Sequence, residues 1–524
     1  MTLANGRLAL AAASAFILLP ILAAVLFGLT TGDAETWSHI LGNRVWPSTI
    51  TTLAVLTLTA ITILAFSIPT AWLITQFDFP GRGFFEWALI LPLAMPGYVM
   101  AYAWSDLLSS PGPLQSTIRD MTGLAARDYW FPSLSNVYGL SFVMAATLFP
   151  YVYLTARAAF THQSAATIEV ARSLGTKNLD ILRKIALPAA RPALAAGLAL
   201  ALMETAADYG AADFLGVRTL GKEVVLAWSS SSAPSIAARL SLMLIAISFL
   251  FLIIERISRG RAGAQHTGRS WRTVSRKPLD KRAKWAVVAA LSAFLIVTFA
   301  LPISRLVWLS FEIGIGRADL VQPLLRTVFL GIGGMLAAFL IALPIALATL
   351  SRSRLLWVGR LSAASGYAAP GAVLALGGLF LLSVTGWPLT GGVALFLLIW
   401  VYAARFATIG AEPMIAALHK SPKSLNEATR SLGSRGLSRL WQVDLPIVLP
   451  GALAGGLILF VETLKELPAT LILRPFNFNT LAVRTYELAS DERLADAATP
   501  ALAIVLLGLL PVILLNRGIH RDGD

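Results

Sequence analysis

Two stretches decide how this chain is read: "EVARSLGTKNLDILRKIALP" (Glu169–Pro188) and "EATRSLGSRGLSRLWQVDLP" (Glu427–Pro446). In both, a glycine falls six residues after the glutamate, at Gly175 and Gly433. Ten residues later comes a β-branched residue, a spacer, leucine and proline. Each reads as helix, sharp turn, helix. Ser421-Pro422 predicts an N-cap with proline at the first helical position. Gly175 and Gly433 fit the position after a helix where positive φ is cheap only for glycine. Thr176 and Ser434 are expected to cap the second short helix. Pro188 and Pro446 are expected to end it where a longer helix begins.

These polar elbows interrupt a strongly apolar chain. Of 524 residues, 56% are hydrophobic and 13% charged, and the mean hydropathy is +0.72. Soluble domains carry about 25% charged residues, so half of the usual charge is missing. Runs such as Leu8–Leu29, Leu240–Ile254 and Ala501–Leu515 approach the roughly 20 apolar residues that cross a bilayer as helix. The fold class expected is an all-α integral membrane protein of about twelve spans. Six lie near 8–29, 50–76, 84–108, 136–158, 191–213 and 235–254. Six more lie near 285–309, 327–350, 361–384, 392–411, 447–473 and 499–516. The first run is read as a span rather than a signal peptide, being long and without a clear small-residue cleavage site.

The segment 255–284 holds ten Lys or Arg against Glu255 and Asp280, which places it in the cytoplasm by the positive-inside rule. Counting spans from there puts both elbows and both termini on the cytoplasmic side. The net charge of +14 is then read as cytoplasmic loops touching anionic lipid, not as nucleic-acid binding. The same segment divides the chain into a first six-span repeat (1–254, elbow 169–188), a basic linker (255–284) and a second repeat (285–524, elbow 427–446). "IPTA" (Ile68–Ala71) matches "LPIA" (Leu343–Ala346), and "MPG" (Met95–Gly97) matches "APG" (Ala369–Gly371). Gly197 corresponds to Gly455 and Glu204 to Glu462. Elbows on one side make the repeats parallel.

No cysteine is present, which removes disulfides and thiolate metal sites. The histidines His39, His162, His266, His419 and His520 are scattered and read as surface residues. No phosphate-cradling G-x-x-x-x-G-K-[ST] motif occurs, so the chain is not expected to hydrolyse ATP. No nucleophile–base spacing suggests a membrane enzyme.

Ionisable residues within spans mark function by default. "METAADYGAADFLG" (Met203–Gly216) carries Glu204 and Asp208, and the eleventh span carries Glu462 and Glu466. The i, i+4 spacing predicts that each pair shares a helix face. Glu204 lies roughly 18 Å along its helix from Pro192, near the midplane. Four carboxylates on two equivalent helices could line one axial pathway, with Tyr209 beside them, and such hard oxygen ligands suit a hard cation. No firm metal site follows; the four acids are transient candidates. They could instead be structural, paired with Lys465, Tyr209, or backbone and water. Ala207 stands where the second half has Lys465, so no lysine sits at the matching place in the helix of Glu204, and a larger defect is expected there than at Glu462.

The two elbows resemble the EAA motif of permeases in bacterial ABC importers, with Val170, Thr429 and Val443 as substitutions within it. The resemblance implies the type I importer fold. It also implies that each elbow is a coupling helix docked on a cytoplasmic ATPase, with Glu169, Ala171, Gly175, Leu187 and Pro188 in one. Glu427, Ala428, Gly433, Leu445 and Pro446 belong to the other. Two elbows imply two ATPase copies, which would hold the ATP–Mg; no cofactor is expected on this chain. "METAADYGAADFLGVRTL" and "ETLKELPATLILRPFNFNTLAVRTY" look like segments of fused ferric-iron permeases, over nearly the whole chain. Ala206 stands where related sequences often have leucine. That resemblance implies a periplasmic iron-binding protein, Fe(III) as the cargo and the bacterial inner membrane as the location. Fused permeases for thiamine and other small solutes such as an organophosphonate share the architecture, and a secondary transporter driven by an ion gradient is the alternative from another class.

Overall fold

The computed structural model describes residues 3–31, 38, 40–161, 165–230, 234–262, 276–314, 319–350, 355–420, 424–425, 429 and 436–521. Its elements are almost all helices. Among the described residues one strand pairing occurs, a two-residue parallel ladder of Phe77–Asp78 with Lys277–Pro278. It pins the end of the basic linker to the turn after the second span.

Among the described residues nine helices are long and apolar enough to cross a bilayer. Two further pairs pass the same test only as broken units: Arg82–Ala94 with Gly97–Thr122, bent by 95°, and Trp357–Ala368 with Gly371–Thr385, bent by 106°. A shorter apolar helix, Leu494–Leu509, completes the set. The third and ninth spans expected from hydropathy are therefore not straight helices. Each breaks at a Pro-Gly pair. Pro96 and Pro370 lack an N–H and force an extended residue before them, as at Met95 (φ −95°, ψ 117°), and a new helix starts at Gly97 or Gly371.

The fifth and eleventh spans break too. Helix Leu187–Ala207 stops at Asp208, which is extended (φ −65°, ψ 130°), and helix Leu445–Lys465 stops at Glu466 (φ −69°, ψ 116°). Short helices Gly210–Phe214 and Pro468–Leu473 follow. The i, i+4 acids thus do not share a continuous helix face, contrary to the expectation from spacing. The second acid of each pair sits in the break. It accepts the free N–H groups of the next helix: Ala212 to Asp208, and Ala469 and Thr470 to Glu466.

Four prolines near the starts of long helices follow π-turns, whereas others such as Pro69 and Pro150 sit within α-helix. Leu41–Val45, Leu182–Ala186, Ile296–Ala300 and Leu440–Asp444 each end two residues before a proline, at 47, 188, 302 and 446. A wider turn moves the carbonyl that the pyrrolidine ring would strike. Pro188 consequently does not end the elbow's second helix; the helix runs on from Asn178 to Ala207.

The first helix of each half packs on the other half. Leu3–Thr30 lies along Leu355–Ala368 and Gly371–Thr385, with Phe27 stacked on Phe380 at 3.8 Å. Phe294, from the first span of the second half, meets Phe66 and Phe149 edge-on at 5.1 and 5.0 Å. Arg305 pairs with Asp106. This exchange interlocks the halves and encloses the broken helices between them.

Candidate functional site: a charged cavity between the halves

The breaks converge. A cavity of about 90 Å³ is lined by residues from both halves, among them Pro96, Tyr98, Asp208, Arg405 and Lys465. Glu204, Glu462 and Glu466 also line it, so all four sequence-predicted acids reach one space, and Tyr209 reaches it as well. The volume admits a few waters or a small ion. The acids do not close into a chelate. Among the described residues no three His, Cys, Asp or Glu side chains are grouped to hold a metal ion. The reason is that cations stand between them.

Arg405 is the residue the sequence reading passed over. It comes from helix Gly391–Lys420 and is 6% exposed. Its Nη1 donates to Glu466 Oε1 at 3.0 Å, and its Nη2 donates to Glu204 at 3.2 and 3.3 Å. No lysine stands beside Glu204 in its own helix, and its cationic partner arrives from the tenth span instead. One guanidinium thereby ties the first half to the second. Lys465 Nζ donates to Glu462 Oε1 at 2.9 Å and to the Leu93 carbonyl at 3.3 Å, and the Tyr151 hydroxyl donates to Glu462 at 3.4 Å. Pairing of Glu462 with Lys465 was one of the structural alternatives.

Asp208 differs from the other three. Its Oδ2 accepts the Ala212 N–H at 3.0 Å, but no Lys or Arg pairs with it among the described residues. Around the same cavity the buried hydroxyls of Tyr98 and Thr147, and Arg405 Nε, have no hydrogen-bond partner among the described residues. Four acids against two cations leave the site net negative when all are ionised.

Close packing fixes this geometry. A Cβ added at Gly371 would lie 2.2 Å from Glu466 Oε1 and 2.6 Å from Arg405 Nη1. At Gly97, the matching position, it would meet Met144 Sδ at 3.2 Å and Asp208 Oδ1 at 3.5 Å. Asp208 and Glu466 thus each abut the N-terminal end of the helix that follows a Pro-Gly break, where the helix dipole favours an anion.

The first elbow lies at the opposite end of helix Leu187–Ala207, about 30 Å away for 21 residues. Helix Ala165–Ser173 closes as a Schellman turn: Gly175 has φ +76°, its N–H donates to Arg172 O, and Thr176 N–H donates to Ala171 O. The positive φ expected of Gly175 is present. The cap expected of Thr176 is not, because Lys177 occupies the N-cap position without a side-chain bond. Ile168 and Ala171 are buried against the body, and Arg172 donates to Gln76 Oε1 at 3.0 Å. Val170, Leu174 and Leu179 are exposed, and Glu169 is half-buried. Leu187 and Pro188 belong to the long helix rather than to the elbow's tip. Of the second elbow, Glu427, Ala428, Gly433, Ser421, Pro422 and Ser434 lie outside the described residues; Leu445 and Pro446 open helix Leu445–Lys465, as Leu187 and Pro188 open theirs.

Comparison with known proteins agrees with this architecture. Residues 58–262 match the family "Binding-protein-dependent transport system inner membrane component". The chain is similar to the Fe(3+)-transport system permease protein FbpB 2 of Haemophilus influenzae, 27% identical over 88% of both chains. It is also similar to the probable ABC transporter permease protein y4fN of Sinorhizobium fredii, 26% identical over 91% of this chain and 86% of that one. The molybdenum transport system permease protein ModB of Escherichia coli matches at 27% over 43% of this chain but 99% of its own length. The first half of this all-α, multi-pass chain thus matches an inner-membrane transport component, and most of its length is similar to permeases of ABC importers.

Proposed function

We propose that this permease passes Fe(III) from a periplasmic binding protein to the cytoplasm, driven by two copies of a cytoplasmic ATPase that hold ATP–Mg. The observation that carries the cargo is the cavity's charge: four carboxylates face two cations, and among the described residues Asp208 has no counter-cation. Similarity to an Fe(3+) permease over 88% of the chain supports the same reading.

Arg405 and Lys465 in the cavity favour a second reading, an oxyanion, as in the molybdenum and sulfate permeases to which one half is similar. Their donors argue against it. The terminal nitrogens of Arg405 bond Glu204 and Glu466, and Lys465 bonds Glu462 and Leu93 O, so neither cation faces an anion unscreened. A half-length permease matched over 99% of its length supports two repeats, 1–254 and 285–524, joined by the linker 255–284. The Lys/Arg-rich linker supports cytoplasmic elbows and termini. At the first elbow, exposed Val170, Leu174 and Leu179 offer an apolar strip to an ATPase groove.

The test is ATP-dependent uptake by the complex in proteoliposomes supplied with its binding protein. Labelled iron is expected to accumulate, and excess molybdate, sulfate, thiamine or 2-aminoethylphosphonate is expected to leave its uptake unchanged. Uptake of one of these solutes in place of iron overturns the assignment.

A further inference from the structure

Beyond the C-terminal end of helix Leu187–Ala207, on the side away from the elbow, lies a second polar cluster. The hydroxyls of Tyr209 and Tyr486 are 2.8 Å apart, and both approach one carboxylate oxygen, Asp213 Oδ2. Tyr209 is 3.4 Å from it, and Tyr486 donates a short bond to it. Lys222 Nζ holds the other oxygen, Asp213 Oδ1, at 3.0 Å. The side chains of Asp213 and Lys222 are 20% and 13% exposed, so the cluster is largely withdrawn from solvent yet still reachable. Tyr209 belongs to both sites, lining the charged cavity and entering the triangle.

Resting on the Fe(III) reading above, we propose that Tyr209, Tyr486 and Asp213 are a facial set of oxygen ligands that receives Fe(III) before it enters the cavity. The geometry carries the proposal. A small six-coordinate cation with bonds of about 2.0 Å sets neighbouring ligand oxygens about 2.8 Å apart. Two phenols and a carboxylate already stand near that spacing. All three are hard oxygen donors, the class a hard cation selects. Charge balances as well. Each phenol releases its proton to water on ligating, and two phenolates plus one carboxylate neutralise a trivalent ion. Water fills the remaining positions. Lys222 keeps Asp213 turned so that Oδ2 faces the metal, the orienting part that outer partners play around metal ligands.

The set also explains how iron would leave. Tyr209 is the N-cap of helix Gly210–Phe214 of the first half and Asp213 lies within it, whereas Tyr486 is on helix Leu481–Ser490 of the second. Any movement of one half against the other withdraws one of three ligands. The ion is then handed towards Asp208, one residue from Tyr209 and without a cation beside it.

Phenolate bound to Fe(III) gives a visible charge-transfer band, which a carboxylate-only site does not. Purified permease–ATPase complex titrated with ferric nitrilotriacetate is expected to develop this band at one iron per permease. Tyr486→Phe and Tyr209→Phe are expected to lose it, with iron affinity reduced about ten- to a hundredfold. Tyr138→Phe, at an exposed position on another helix, is expected to keep it. Proteoliposome uptake, run alongside, separates the two ideas. Iron uptake without any band overturns the tyrosine site and leaves the cargo standing. A band that survives in Tyr486→Phe also overturns the site, since the iron is then held elsewhere. Absence of iron uptake in the wild type overturns the cargo and, with it, this inference.

Discussion

Arg405→Ala is expected to be the most damaging single change in the cavity. It leaves Glu204 and Glu466 facing each other with no cation between them, and Glu466 has a side chain only 2% exposed. Removing one partner of a buried ion pair costs about 3–5 kcal/mol, because the charge left behind has lost its water. The loss here falls on a contact between the halves, so it should appear as low yield of folded protein and early thermal unfolding in detergent. Replacing the whole triad by neutral groups (Arg405→Met with Glu204→Gln and Glu466→Gln) should restore much of the stability, since no charge is then stranded. Arg405→Ala protein as stable as the wild type would show that the guanidinium is not what joins the halves.

Gly371→Ala is expected to act on the same contact from the other side. Its methyl would fall 2.2 Å from Glu466 Oε1 and 2.6 Å from Arg405 Nη1, distances at which one partner must leave. Iron uptake and thermal stability should both fall, approaching the Arg405→Ala phenotype. The control is built into the repeat. Gly97→Ala meets its nearest atom, Met144 Sδ, at 3.2 Å, and a flexible thioether can move aside. It should be nearly silent. Equal behaviour of the two variants would contradict the account of how the second Pro-Gly break is packed.

Much of this arrangement was legible in the sequence, and what was not has physical causes. Apolar runs gave the all-α membrane fold and the first elbow its helix–turn–helix, because bilayer thickness and glycine's φ freedom act locally on the chain. Gly175 could be read for that reason. The helix breaks at Asp208 and Glu466 could not. The i, i+4 rule assumes an uninterrupted helix, and Pro468 warned of a break in only one copy. Thr176 failed as a cap because the second helix starts one residue later, with Lys177 at the N-cap position. Pro188 failed as a stop because a π-turn accommodates it. Arg405 was visible as a lone arginine in the apolar tenth span, "WVYAARFATIG", and the rule that marked the acids applies to it equally. Its partners were not visible, since Glu204 and Glu466 lie 201 and 61 residues away along the chain. Tyr486 and Asp213 escaped notice for the same reason: only folding brings them to Tyr209.

If a carboxylate-lined cavity between the halves carries the cation, its passage depends most directly on Asp208. Asparagine there keeps the shape and an oxygen for the Ala212 N–H, and it removes only the charge that has no counter-cation. The measurement is ATP-dependent iron uptake by Asp208→Asn complex in proteoliposomes, with complex yield and basal ATPase activity read on the same preparation. The expected result is normal yield and ATPase activity with iron uptake reduced about tenfold or more, since one charge at close range in a partly dry site is worth more than 1.4 kcal/mol. Wild-type uptake by Asp208→Asn would remove this carboxylate from the path of the ion.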